Sequence, residues 1–314
     1  MNALSRQSLI AFFILTLAAA CAAAPLGSSI RPVIPAEVQQ LICVDYRALK
    51  NSDTAMALKA QVLPDNIKEF ETALKGIGID TDRDVDTLTF ISYRTPKQGI
   101  KVVGAATGVF AMKTVLHKLQ LHKVKPVKYR DSDIYPMANG MEMTFLDETT
   151  LLFGDSGALH GALDARDGYV LTLDSNPDIA NMIDDVQGGA VWSILDQKGT
   201  QNMMMSALGD ASKLADYDTL KKRILGSRYT MNFQNGVNFD LDVITSDSVT
   251  AATLSSLVKA GVLYKKMTAN AAEKAALEDM SVDSDSSKLQ MHFKADDKQF
   301  QALMHTSLFA SVSR

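Results

Sequence analysis

Residues 227–244, SRYTMNFQNGVNFDLDVI, restrict the fold more than any other stretch of this chain. Tyr229, Met231 and Phe233 alternate with Thr230, Asn232 and Gln234, and Val237, Phe239, Leu241 and Val243 alternate with Asn238, Asp240 and Asp242. Between the two runs stands Asn235-Gly236, a dipeptide that tolerates positive φ at both central positions of a type I′ turn. The pattern predicts a β-hairpin with one apolar and one wet face, and so an antiparallel sheet covered on one side. Ser246, Asp247 or Ser248 can then cap a helix. Its buried stripe is predicted to run through Leu254, Leu257, Val258 and Gly261 as far as about Met267.

A similar succession occurs earlier. A strand at 41–49 and a helix at 64–78 lead to a hairpin, 86–94 and 100–110, turned by TPKQG. A helix at 111–123, strands within 127–137 and 143–154, and a helix at 156–165 follow. In the second case the strand is 189–196, with helical segments in 200–225 before the hairpin. After its helix come strands within 282–295 and a last helix at 297–312. We therefore expect an α+β fold of two similar halves, 36–168 and 177–312, each near the commonest domain size. Each half is read as an antiparallel sheet with helices packed on one face, in ferredoxin-like βαββαβ order with extra elements. Gly168 and Asn176-Pro177 supply turn signals at the join.

Composition narrows the class of function. With 314 residues and 46% hydrophobic content the chain has material for two packed units. A net charge of −4 excludes the basic excess of a general nucleic-acid binder, so no nucleic-acid partner is expected. At the N-terminus, Arg6 precedes the apolar run LIAFFILTLAAA. That run is shorter than the roughly 20 residues a membrane span needs, so 1–20 reads as a secretory signal peptide. The segment Leu17-Ala18-Ala19-Ala20-Cys21 resembles a bacterial lipobox, with Ala18 where that motif carries leucine. The resemblance makes Cys21 a lipid acceptor on the periplasmic face of a bacterial membrane. Ordinary cleavage after Ala20 or Ala22, giving a soluble exported protein, is the alternative. Residues 21–35 then read as an extended tether, and Cys43, inside an apolar strand, as a buried thiol.

The motifs that could carry chemistry each have a simpler reading. Asp80, Asp82, Asp84 and Asp86 start like an EF-hand loop. Val85 and Ile91 stand where that loop needs Gly and Glu, so a solvated helix-to-strand connection is expected. Gly154-Asp155-Ser156-Gly157 has the letters of a serine-protease nucleophile segment, but Asp155 or Ser156 more simply caps a helix. His117 and His122 are five apart and diverge around a helix, and His160, His292 and His305 fall in no ligand motif. Met137, Met141 and Met143 could offer thioethers to Cu(I) but read as core filling, as do Met203, Met204 and Met205. Lys113, Lys118, Lys123, Lys125, Lys128 and Arg130 form an acid-free basic stretch, able to attract lipid headgroups or an acidic partner. Trp192, the sole tryptophan, lies inside an apolar strand. No catalytic, metal or cofactor-binding residue is assigned, and no cofactor is expected.

The phrases GIDTDRDVDTLTF (78–90), LLFGDSGALHGALD (151–164) and NGVNFDLDV (235–243) resemble uncharacterised exported bacterial lipoproteins with repeated α+β domains. The resemblance implies export and an α+β repeat, and carries over no catalytic residue. The expected function is that of a non-catalytic cell-envelope protein that binds a protein or an apolar ligand, held to a membrane through Cys21. The alternatives are an exported hydrolase with a site assembled from scattered residues, and a calcium- or copper-binding envelope protein.

Overall fold

The computed structural model describes residues 26–62, 65–96, 99–186, 188–208 and 217–306. The predicted signal peptide (1–20), Cys21 and residues 307–312 of the last predicted helix lie outside the described residues. The first half runs β1 (Val38–Asp45), α1 (Tyr46–Leu49), α2 (Asp53–Val62), α3 (Asp65–Gly76), α4 (Thr81–Asp84), β2 (Val85–Thr95) and β3 (Gly99–Gly108). It continues with α5 (Met112–Leu121), β4 (Val127–Tyr129), β5 (Ser132–Pro136), β6 (Met141–Asp147), β7 (Thr150–Asp155) and α6 (Ser156–Arg166). Helix α7 (Pro177–Val186) leads to β8 (Val191–Asp196), α8 (Gln197–Leu208), α9 (Tyr217–Lys221), β9 (Ile224–Asn232) and β10 (Val237–Thr245). Helices α10 (Ser248–Thr268) and α11 (Ala271–Glu278), strands β11 (Met280–Asp285) and β12 (Lys288–Ala295), and α12 (Asp297–Met304) complete the chain.

The molecule is α+β, and the twelve strands of the described residues form one sheet in the order β11-β12-β10-β9-β8-β1-β2-β3-β7-β6-β5-β4. The halves meet through the antiparallel pair β1–β8, in which Cys43 lies opposite Trp192. From that pair the strands spread outward in the same manner, β1-β2-β3-β7-β6 on one side and β8-β9-β10-β12-β11 on the other. This pairing is not that of a split βαβ unit. There the two strands flanking a crossover helix run parallel, whereas β1 and β2, separated by four helices, pair directly and antiparallel.

Local chemistry explains the elements. Asn235 and Gly236 have φ of 58° and 99°, the positive pair that a type I′ turn requires. Asp155 accepts the Ala158 amide and starts α6. Asn270 with Glu273, and Asp296 with Gln299, form capping boxes on α11 and α12. Four predicted strands divide or stop early, 127–137 among them, which turns at Arg130, with φ 50°. Segment 143–154 breaks where the Asp147 carboxylate accepts the Thr149 amide, and 282–295 breaks at Ser286, with φ 54°. The strand predicted at 41–49 ends at Asp45, whose carboxylate accepts the Ala48 amide and opens α1.

The helices do not keep to one face over the first half. Phe90, Phe153 and Met143 point to one side and pack on α3 and α5. Ile91, Val103 and Leu152 point to the other and pack on α6 and α7. Adjacent positions such as Leu151 and Leu152 are both fully buried, because these central strands are covered on both sides. The close cover leaves no room at Gly104, where a Cβ would stand 2.2 Å from the Phe153 ring. In the second half α7 packs on one face of β8, and on the outer strands α8, α10 and α12 cover one face only, that of Leu241, Val243, Leu289 and Phe293.

Residues 26–35 correct the tether reading. Arg31–Val33 form a 3-10 turn, and Ile30, Val33 and Ile34 are fully buried in the core shared by β1, α6 and α7. Arg31 donates to Asp174 at 2.7 Å and Leu173 donates to the Ile34 carbonyl, so the segment is fastened at both ends. Three isolated apolar side chains have no helix or strand period, which is why the sequence alone hides their role.

Candidate functional site

The sequence-level candidates separate in space. Each member of the aspartate run has its own partner. Asp80 caps α4 by accepting the Asp82 amide, and Asp84 takes the Arg83 guanidinium and the Asp80 amide. Asp82 accepts the Tyr46 hydroxyl at 2.7 Å, and Asp86 is bound by Arg47. The run thus clamps α1 against the start of β2. The Arg83 contact holds the Asp84 carboxyl below the usual carboxylate range. Asp155 caps α6 and also receives Lys101 at 3.2 Å, which accounts for the Gly-Asp-Ser-Gly segment without nucleophile chemistry. Met141 and Met143 are buried beside Phe153, with Met137 at the margin of the same cluster. Trp192 is fully buried. Cys43 is buried too, and that burial pushes its thiol up to about 11, far from thiolate chemistry. Among the described residues no three His, Cys, Asp or Glu side chains form a group able to hold a metal.

Two of the open surfaces gather polar, charged or apolar groups in one place. The first is the uncovered face of β9, β10, β12 and β11, where a shallow pocket of about 200 Å³ is lined by Asp240, Asp242, Ser281, Asp283, Gln290, Met291 and His292. Its groups satisfy one another. Arg228 bonds Asp242 at 3.0 Å and Asp185 at 2.6 Å, and His292 meets Asp240 at 2.7 Å. Such a face needs no occupant; it is the wet side that the alternation in 227–244 predicts.

The second is the C-terminal part of α10. This helix has 21 residues, against 10 for α5, which holds the matching place after β3 in the first half. All the buried side chains of α10 lie between Thr250 and Val258. Beyond them Leu263, Tyr264 and Met267 are 65%, 64% and 77% exposed. They stand at i, i+1 and i+4, close together on one side of the helix, with Lys265 and Lys266 between them. Large apolar side chains gathered in this way are uncommon on a solvent face. The sequence pattern predicted the helix through Met267, and these three side chains stand on the face opposite the one that Leu254, Leu257 and Val258 bury.

Asp247 secures the base of α10. Its carboxylate accepts the Thr250 amide at 2.8 Å, with further bonds from Ser246, the Thr250 hydroxyl and Arg223. The Thr250 amide bond is the leading cause of a carboxyl held down at about 2. A lowered folded-state value means the cap stabilises fully above the ordinary carboxylate range and is lost as pH falls through about 2. Asp247→Ala should therefore lower the melting temperature at neutral pH, and the gap from the parent should close between about pH 4 and pH 2. A gap independent of pH would reject the charge as its source.

No family model and no curated protein sequence matches the chain. Solved structures titled as crystal forms I, III and IV of TP0453 are similar to it. Form I has a TM-score of 0.48 at 7% identity, covering 93% of this chain and 98% of its own. Form III gives 0.44 at 6%, over 87% and 96%, and form IV 0.43 at 7%, over 90% and 97%. At these values nothing about a site or a ligand passes from those structures to this chain.

Proposed function

We propose that this chain is a non-catalytic protein of the cell envelope, exported and anchored through Cys21, whose binding surface is the projecting end of α10. The ligand class is apolar and anionic together, that of a lipid surface. One observation carries the reading: α10 continues past its last fully packed residue and places Leu263, Tyr264 and Met267 in solvent with lysines beside them. An apolar stripe flanked by lysines suits the boundary between headgroups and acyl chains. Each lysine near an anionic surface contributes about 1 kcal/mol. Burying three such side chains contributes about 3–4 kcal/mol once their present partial cover is discounted. No helix of the described residues is long and apolar enough to cross a membrane, so the contact proposed is peripheral.

The test uses the chain with Cys21→Ser, which cannot be acylated, and vesicles of phosphatidylglycerol and phosphatidylethanolamine. Co-sedimentation is expected with these vesicles and not with phosphatidylcholine alone. Replacing Leu263, Tyr264 and Met267 together by alanine should weaken partitioning by about two orders of magnitude. Equal partitioning of parent and triple variant would reject the surface.

A further inference from the structure

The two free edges of the sheet carry opposite charge. Residues 123–130, which hold edge strand β4, contain Lys123, Lys125, Lys128 and Arg130 and no acid. Residues 278–285, which hold edge strand β11, contain Glu278, Asp279, Asp283 and Asp285 and no base. Charged edge strands keep sheets from sticking to their own kind, and here each edge repels a copy of itself. The two edges attract each other. Strand direction agrees with this. The sheet has twelve strands, and every neighbouring pair is antiparallel, so β4 and β11 run in opposite senses. A second copy that continues the sheet therefore sets its β11 antiparallel to the first copy's β4.

We propose that this face-preserving edge pairing is a self-association surface, with β11 of one copy against β4 of the next. The inference is independent of the lipid-binding reading. Arg130 stays with Asp164 at 2.8 Å, but the exposed ion pairs now engaged are free to exchange at little cost. Lys128 bonds Asp133 at 3.0 Å and Lys259 reaches Asp283 at 3.3 Å, both pairs being exposed. The contact joins unlike surfaces, so it does not close on itself and growth continues from both ends. Surface charge drives it, so salt weakens it.

Sedimentation velocity of the purified Cys21→Ser chain tests the proposal without further change. Concentration-dependent species larger than a dimer are expected at low ionic strength. Raising the salt to physiological strength or above should weaken association at least about tenfold. Two charge reversals add specificity. Lys123→Glu, Lys125→Glu and Lys128→Glu together make both edges acidic, and Asp279→Lys, Asp283→Lys and Asp285→Lys together make both basic; each chain alone should be monomeric. Their equimolar mixture should regain growth, which also shows that both remain folded. A parent chain that is monomeric at low salt overturns the proposal, as does association unchanged by salt or persisting in either variant alone.

Discussion

Replacing Trp192 by alanine is expected to cost about 3–5 kcal/mol of folding stability, the range for deleting a large aromatic from a packed core. The side chain is fully buried on β8, in the cluster that also holds Cys43 on β1 and Ile179, Met182, Ile183 and Val186 on α7. It lies in the strand pair that joins the halves, opposite Cys43. A cavity there removes cover from the seam of the whole sheet, and the loss is a large share of the 5–15 kcal/mol by which domains of this kind are stable. Trp192 is the only tryptophan, so unfolding is best followed in urea by circular dichroism at the peptide bands. A loss under about 1 kcal/mol would mean that the site collapses around the deletion or that the ring is not enclosed as described.

Ile30→Ala together with Ile34→Ala is expected to have a comparable effect. Leu or Ile deletions to alanine in cores cost about 2–5 kcal/mol each, and the two sites share one cluster, so their sum need not be additive. Both side chains are fully buried against β1, α6 and α7. A tether would tolerate the pair with no measurable change, since exposed apolar positions shift stability by less than about 0.5 kcal/mol. The same urea titration therefore separates a core segment from a leash. It also bears on geometry at the membrane. With 26–35 fastened to the fold, only residues 22–25 separate Cys21 from Leu26, and the five steps between those two residues span at most about 18 Å. An anchor at Cys21 would then hold the folded body close to the surface that the end of α10 is proposed to contact.

The hairpin of 227–244 was legible because everything that specifies it is local. Period-two alternation fixes which residues share a face, and Asn235-Gly236 fixes the turn and so the register. The start of α10 was legible for the same reason, since Asp247 and the amide it accepts are three residues apart. The divided strands were not read correctly, because a two-residue turn with ordinary residues, such as Glu148-Thr149, leaves the apolar run around it almost unbroken. The cover on both faces of β2, β3 and β7 was missed for a related reason. Continuous apolar runs such as Leu151-Leu152-Phe153 show burial on two sides without showing what does the burying.

The candidate site divides in the same way. Sequence placed Leu263, Tyr264 and Met267 on a helix, and their exposure follows from their lying on the side of it opposite Thr250, Leu254, Leu257 and Val258, the side that packs on the sheet. The charge runs at 123–130 and 278–285 are visible as letters. That they occupy opposite edges of one sheet is a matter of strand order.

What the amino-acid sequence determined by itself is the set of contacts made within a few residues: the type I′ turn, the aspartate and asparagine caps, and the wet face of the second hairpin. Those depend on backbone preference and on hydrogen bonds too short to have alternatives. The tertiary structure alone decided three things. These are the joining of β1 to β8, about 150 residues apart in the chain, the drawing of Ile30 and Ile34 into the core, and the placing of β4 and β11 at opposite edges of the sheet. Each depends on which distant surfaces exclude water together, and that is a property of the packed whole that no local window contains.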